Sequence, residues 1–361
     1  NMKTRFFKIF LLSLSLVLFG ASCSLPGMGN DDENKTSGPA GMFVTTDKGE
    51  SWKKISTFPT PDGVKTLDKV NVYQIFEDPQ DPDTMYWATR GNGLYYTHSK
   101  GQSWRKVNGP LSSGFIYSVA VHPKDKCLIY ATGGSYVYKS EDCMRTWEKV
   151  YQESRGSARI HALEFSQFPP YQLYMGKRNG DFLVSKDAGA SWTVLNRFGQ
   201  NINKIIASKQ NKDRIYLASN DLGLQISNDR ADNWNNLTKN MSDFPGADDY
   251  HRVWVHPDKE GVIYWASDYG IIRSTDAGKT WSGFDLITSP GSANIWSMAV
   301  DPNNNNKIYY TATINNRSTF YYTIDGGKSW TTKELPTGQV PTQLRVHPED
   351  NNVIYAGFSA P

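Results

Sequence analysis

Asp268, in Ala266-Ser267-Asp268-Tyr269-Gly270, is a carboxylate that Asp221, Asp248 or Asp249 would oppose if this chain did acid chemistry. Two opposed carboxylates are what glycoside hydrolysis needs, one to protonate the leaving oxygen and one to attack or to activate water. A polar turn explains each of the four more simply, so the primary expectation is a protein with no catalytic residue and Asp268 as runner-up. A second set is suited to stacking on a peptide or a sugar: Tyr73, Tyr117, His161, His251 and Trp296. A third is cationic, and an acidic partner or lipid head groups would recognise it: Arg155, Arg159, Lys177, Arg178, Arg197, Lys204 and Arg252. The histidines pair with no cysteine or histidine at zinc spacing, and the chain has no phosphate-binding glycine loop and no Gly-x-Ser-x-Gly, so neither a metal nor a cofactor is expected.

What positions these residues is a repeat. A Ser/Thr-x-Asp-x-Gly-x-Ser/Thr-Trp phrase recurs seven times and ends at Trp52, Trp104, Trp147, Trp192, Trp234, Trp281 and Trp330. Its Asp residues are Asp47, Asp142, Asp187, Asp229, Asp276 and Asp325, while Ser99 takes that place in the second copy. Met144 and Ala231 replace the Gly in two others, and Met144 is expected to spoil its turn. The phrase reads as a tight hairpin in which Asp accepts backbone N–H bonds and Gly supplies positive φ. Trp then opens the next strand and is expected to pack against its own blade. Each repeat also carries an apolar-Tyr strand, from Met85-Tyr86 to Ile354-Tyr355.

Spacings of 42 to 52 residues between successive Trp, with no amphipathic helical stretch, indicate an all-β, seven-bladed propeller of four-stranded antiparallel blades. The chain begins with a box and ends with an Ile-Tyr strand, so one blade is shared between the termini. Residues 42–56 supply its outer strands and residues 342–358 its inner ones.

The phrase resembles the Asp-box, or BNR, repeat of sialidases, sortilin-type receptors, xyloglucanase-type glycoside hydrolases and the photosystem II assembly and stability factor family. The resemblance covers nearly all of residues 42–361. One compact ring with an export signal is most similar to the photosystem II factor type, which implies a non-catalytic assembly factor. A sialidase would carry an Arg-Ile-Pro phrase near its start, which is missing, and a xyloglucanase-type enzyme generally adds a second propeller.

Propeller topology places A–B turns and box turns on one face, and B–C and D–A connections on the other, where the channel opens. Counting back from each Ile-Tyr strand aligns Tyr73, Tyr117, His161, Asn203, His251, Trp296 and Thr342 at that mouth. These aromatics either plug the channel or form a binding platform, and with Arg178 and Arg252 they are the expected partner-binding residues.

Net charge is +3, which gives no argument for nucleic acid. Lys3, Arg5 and Lys8, then an apolar run from Ile9 to Phe19, then Gly20-Ala21-Ser22-Cys23, read as a lipoprotein signal over 1–22 with Cys23 lipidated. Residues 23–41 form a flexible tether and 42–361 the propeller. Cys127 and Cys143 lie on the same blade face and are expected to form a disulfide, as suits an exported protein. The expected protein is thus a monomeric propeller held by lipid on the outer face of a bacterial membrane. It engages a protein partner, such as a membrane complex, through the channel mouth. The alternative is a glycoside hydrolase or a carbohydrate-binding propeller.

Overall fold

The computed structural model describes residues 38–361. The signal segment, Cys23 and most of the tether lie outside the described residues. Seven four-stranded antiparallel sheets follow one another along the chain. Blade 1 spans residues 74–106, blade 2 118–152, blade 3 160–197, blade 4 204–236, blade 5 250–283 and blade 6 294–334. Blade 7 pairs Val340–Val346 and Ile354–Ser359 with Gly41–Thr45 and Lys53–Lys54 from the other end of the chain. In it Phe43 lies opposite Ala356 and Thr45 opposite Ile354. Closure of this kind completes the ring from both ends of the chain, and each blade keeps only a short outer edge strand. A two-stranded hairpin, Thr57–Thr60 with Gly63–Thr66, links blade 7 to blade 1.

The box turn is built by side chains bonding to their own backbone. In the first copy Asp47 Oδ1 accepts the N–H of Ser51 at 2.9 Å, and Thr45 Oγ1 accepts the N–H of Gly49 at 2.9 Å. Ser99 reproduces part of this, its Oγ accepting from the N–H of Ser103 at 3.3 Å. Two consecutive residues take positive φ, for example Ala277 at 62° and Gly278 at 86°. A Cβ on Gly278 would also lie 2.5 Å from a methyl of Leu237 on the preceding blade, so the position is restricted twice over.

One local expectation is widened and one is corrected. The box Trp packs against its own blade, as Trp104 on Trp87 and Trp330 on Tyr310 at 5.2 Å each, and also against the blade before it: Trp52 meets Phe320 of blade 6 edge to face at 5.5 Å, and Trp234 meets Phe182 of blade 3 at 5.5 Å. Trp104 donates its indole N–H to the Ile55 carbonyl beside blade 7 at 2.6 Å. The outermost strand of a blade has no neighbour within its own sheet beyond it, so its large apolar side chain is covered by the blade before it as well as by its own. Met144 does not spoil its turn, because Ser140 Oγ still accepts the Met144 N–H at 2.8 Å and Asp142 Oδ1 that of Thr146 at 2.9 Å. Met144 simply holds φ at 70°, at some cost in backbone strain. The expected disulfide joins Cys127 to Cys143 and ties the A–B turn of blade 2 to this box.

Candidate functional site

The inner strand of each blade begins at the mouth, and there the ladder is irregular. Register shifts fall between Ile160 and Ala162, Tyr250 and Arg252, Ile295 and Ser297, and Pro341 and Gln343. The residues skipped are His161, His251, Trp296 and Thr342, four of the seven aligned positions. A bulge frees a residue from the ladder and re-aims its side chain, so these positions are directed by backbone geometry that the repeat itself does not encode.

On blades 1 to 3 the aligned rings touch. Tyr117 stacks on His161 with centroids 4.9 Å apart and 11° between planes. Its other face stacks on Phe115 at 3.9 Å, and Tyr73 meets Phe115 edge-on at 4.7 Å. Phe115 lies in the D–A connection two residues ahead of the aligned position, which is why counting from the Ile-Tyr strand missed it. Tyr117 is buried, with both faces covered by protein rings, so it supports the run while Tyr73, Phe115 and His161 keep partial exposure. Arg90 lies over Tyr73 at 5.6 Å, and Arg159 Nη1 donates to Tyr117 Oη at 2.9 Å. Arg178, exposed, is joined to the same lip by its N–H bond to the Arg159 carbonyl at 2.8 Å. Burial holds His161 below the usual imidazole value against its hydrogen bonds to the Oδ1 atoms of Asn203 and Asn201, and the charges of Arg178 and Arg159 act in the same direction as burial.

The other two aromatic candidates stand apart from this run. His251 has an acceptor at each ring nitrogen, the Ile295 carbonyl 3.0 Å from Nδ1 and Asp268 Oδ1 2.8 Å from Nε2. Trp296 donates its indole N–H to Thr313 Oγ1 at 2.8 Å within its own blade.

The cationic set divides. Lys177 and Glu153 form a buried pair at 2.6 Å, Arg155 reaches both Glu153 at 3.1 Å and Asp181 at 2.7 Å, and Arg197 sits 3.6 Å from Asp181. These three cations are neutralised, so the patch of seven expected from sequence loses them. The arrangement holds Glu153 down at about 2, where the bonds from Arg155 and Lys177 outweigh the opposing effect of burial. Arg159 and Arg178 remain on the lip, whereas Lys204 and Arg252 turn into the channel.

Asp268 is half exposed on the mouth face, where its N–H bonds to the Asp249 carbonyl at 3.2 Å. Among the described residues no cluster of three His, Cys, Asp or Glu side chains is arranged to hold a metal ion.

The family model for Sortilin-Vps10, described as sortilin, neurotensin receptor 3, matches residues 40–167 and 269–359. A curated relative, a probable oligoxyloglucan-reducing end-specific xyloglucanase of Neosartorya fischeri, is 27% identical over 214 residues, covering 53% of this chain and 26% of its own length. The chain therefore spans about a quarter of the length of the curated relatives it matches. Among solved structures, the GH74 xyloglucanase of Xanthomonas campestris superposes with a TM-score of 0.62 at 17% identity, over 80% of this chain and 51% of that one. YCF48 bound to D1 peptide superposes with a TM-score of 0.58 at 14% identity, over 81% of this chain and 94% of that one. At these identities the solved structures speak to the fold alone.

Proposed function

This chain belongs to the Sortilin-Vps10 family, and from that premise we propose that it is a non-catalytic binding propeller that engages a protein partner at its channel mouth. The observation that carries the reading is the continuous run Tyr73, Phe115, Tyr117 and His161, bordered by Arg90, Arg159 and Arg178. Rigid aromatic anchors edged by guanidinium groups suit a polypeptide segment, giving apolar contact at low entropic cost and charge recognition beside it. The likeness in fold to YCF48 bound to D1 peptide, covering 94% of that chain, supports it.

The proposal includes the anchor. Lipidation of Cys23 would hold the propeller to the outer face of a bacterial membrane as a monomer. Ala40 donates its N–H to the Asp68 carbonyl at 2.8 Å, and Gly38 accepts from Gln339 Nε2 at 3.0 Å. Both contacts are with D–A connections, so the chain enters the ring on the mouth face and the tether would leave from there. That turns the mouth toward a membrane-proximal partner, such as an assembling membrane complex.

A second reading, action on or binding of a carbohydrate, is favoured by the xyloglucanase relatives. Against hydrolysis stands the engagement of Asp268 by His251. The test is a photoreactive residue placed at Arg178, or at Ser191 on the opposite face, followed by crosslinking in native membranes. A single protein adduct from position 178, lost when Tyr73 and Phe115 are changed to Ala, is expected. Labelling from 191 alone, or release of reducing ends from xyloglucan that Asp268→Asn abolishes, would overturn the proposal.

A further inference from the structure

Below the mouth the channel is crossed by cations. Lys204 of blade 4 places Nζ 6.0 Å from the ring centre of Phe76 on blade 1, the opposite wall. Arg252 of blade 5 donates through Nη2 to the Thr342 carbonyl of blade 7 at 3.3 Å, and through Nη1 to the backbone carbonyl of its neighbour His251 at 2.7 Å. Arg345 of blade 7 donates through Nη2 to the Ile75 carbonyl of blade 1 at 3.2 Å. Its Nε is buried and has no acceptor among the described residues.

Lys204 is electrostatically coupled to both arginines and to Glu164 and Glu77. None of the three cations has a carboxylate within ion-pair distance among the described residues, since neither glutamate closes to 4.0 Å. Glu164 is instead bonded by Gln167 Nε2 at 3.2 Å and lies within the field of Lys209. Tyr73 and Tyr250, both uncharged near neutrality because burial raises them, face Arg252. Inward charges are costly unless something compensates them. Here carbonyls satisfy some guanidinium donors but leave the positive charge in place.

We propose that the waist of the channel is a binding site for a small inorganic oxyanion of the sulfate type, held by Lys204, Arg252 and Arg345. A tetrahedral dianion presents four acceptors to cations projecting from three blades, and the buried Arg345 Nε–H is a donor left without an acceptor. Once bound, the anion bridges blades 4, 5 and 7 across the ring, which links its occupancy to the rigidity of the mouth above. This inference stands on the channel residues alone and does not depend on what the mouth binds.

The test is isothermal titration of the full chain with sodium sulfate against a chloride background of constant ionic strength, with thermal unfolding followed in parallel. Saturable binding is expected, with a melting temperature that climbs with sulfate concentration as linkage requires. Arg252→Met and Lys204→Met should each weaken sulfate by about tenfold or more. Without sulfate Lys204→Met should melt no lower than wild type, since it removes mutual repulsion, and Lys204→Arg should keep the binding. Sulfate carries the same charge across the neutral and mildly alkaline range, so its affinity should fall there as Lys204, held down to about 8 mainly by burial, gives up its proton. No saturable heat in wild type, or equal sulfate dependence in wild type and both methionine variants, would overturn the site.

Discussion

His251 Nε2 lies 2.8 Å from Asp268 Oδ1, and the same imidazole faces the Ile295 carbonyl of blade 6 through Nδ1. The carboxylate best placed by sequence for acid chemistry is therefore held within blade 5 by the histidine that makes the contact to blade 6. Asp268→Asn is expected to cost at most about 1 kcal/mol of stability, as partly exposed ion pairs do, and to leave partner crosslinking from position 178 intact. Chemical denaturation and the crosslinking yield check it.

The aromatic run separates stability from binding. Tyr117→Ala removes a buried ring stacked on two others and should cost about 3 kcal/mol. Phe115→Ala and Tyr73→Ala, at partly exposed positions, should cost less and reduce crosslinking more. If Tyr117→Ala unfolds no more easily than Tyr73→Ala, the stacking account of the lip is wrong.

Burial in the channel sets the sign of a pH dependence. Glu164 rises from 4.5 to about 7, so between those values the folded chain keeps a proton that the unfolded chain has released. Its contribution is fully present below 4.5 and is lost as pH climbs through about 7. Lys204 falls from 10.5 to about 8, so stability is regained as pH rises from about 8 toward 10.5. In a sulfate-free buffer the pair should produce a stability minimum between about 7 and 8. Glu164→Gln should flatten the acid-side limb by about 3 kcal/mol, read from denaturation midpoints across pH.

Box glycines should respond asymmetrically. Gly278→Ala places a Cβ 2.5 Å from Leu237 at φ 86° and should cost more than about 1 kcal/mol. Ala231, already at φ 77°, marks the reverse case: Ala231→Gly should be neutral or gain up to about 1 kcal/mol. Urea midpoints measure both, and equal effects at the two sites would contradict a conformational origin.

Breaking the Cys127–Cys143 link by Cys143→Ser should lower stability by about 3 kcal/mol, the loop-entropy value for a bridge of this span. The variant should show one more free thiol than the wild type under denaturing conditions. Because box hydrogen bonds to Ser140 and Asp142 persist independently, the turn itself should survive.

The ring and its closure were legible because each blade repeats a local problem: a turn that wants Asp and Gly, and an outer strand that needs one large apolar residue. The lip was legible in part. Tyr73, Tyr117 and His161 came from alignment of the inner strands, while Phe115 and Arg90 lie in connections whose length varies from blade to blade. Arg155, Lys177 and Arg197 looked available in sequence because nothing in a linear chain announces Glu153 and Asp181 beside them.

By itself the sequence determined the number of blades, their strand order, the shared seventh blade and the face that carries the mouth. These follow from hydrogen bonding and burial within one repeat, which is short-range and periodic. Only the tertiary structure decided which charges remain unpaired, which way each box Trp packs, and that Lys204, Arg252 and Arg345 converge in the channel. Those properties depend on residues from different blades meeting across the axis, far apart in sequence, where periodicity carries no information.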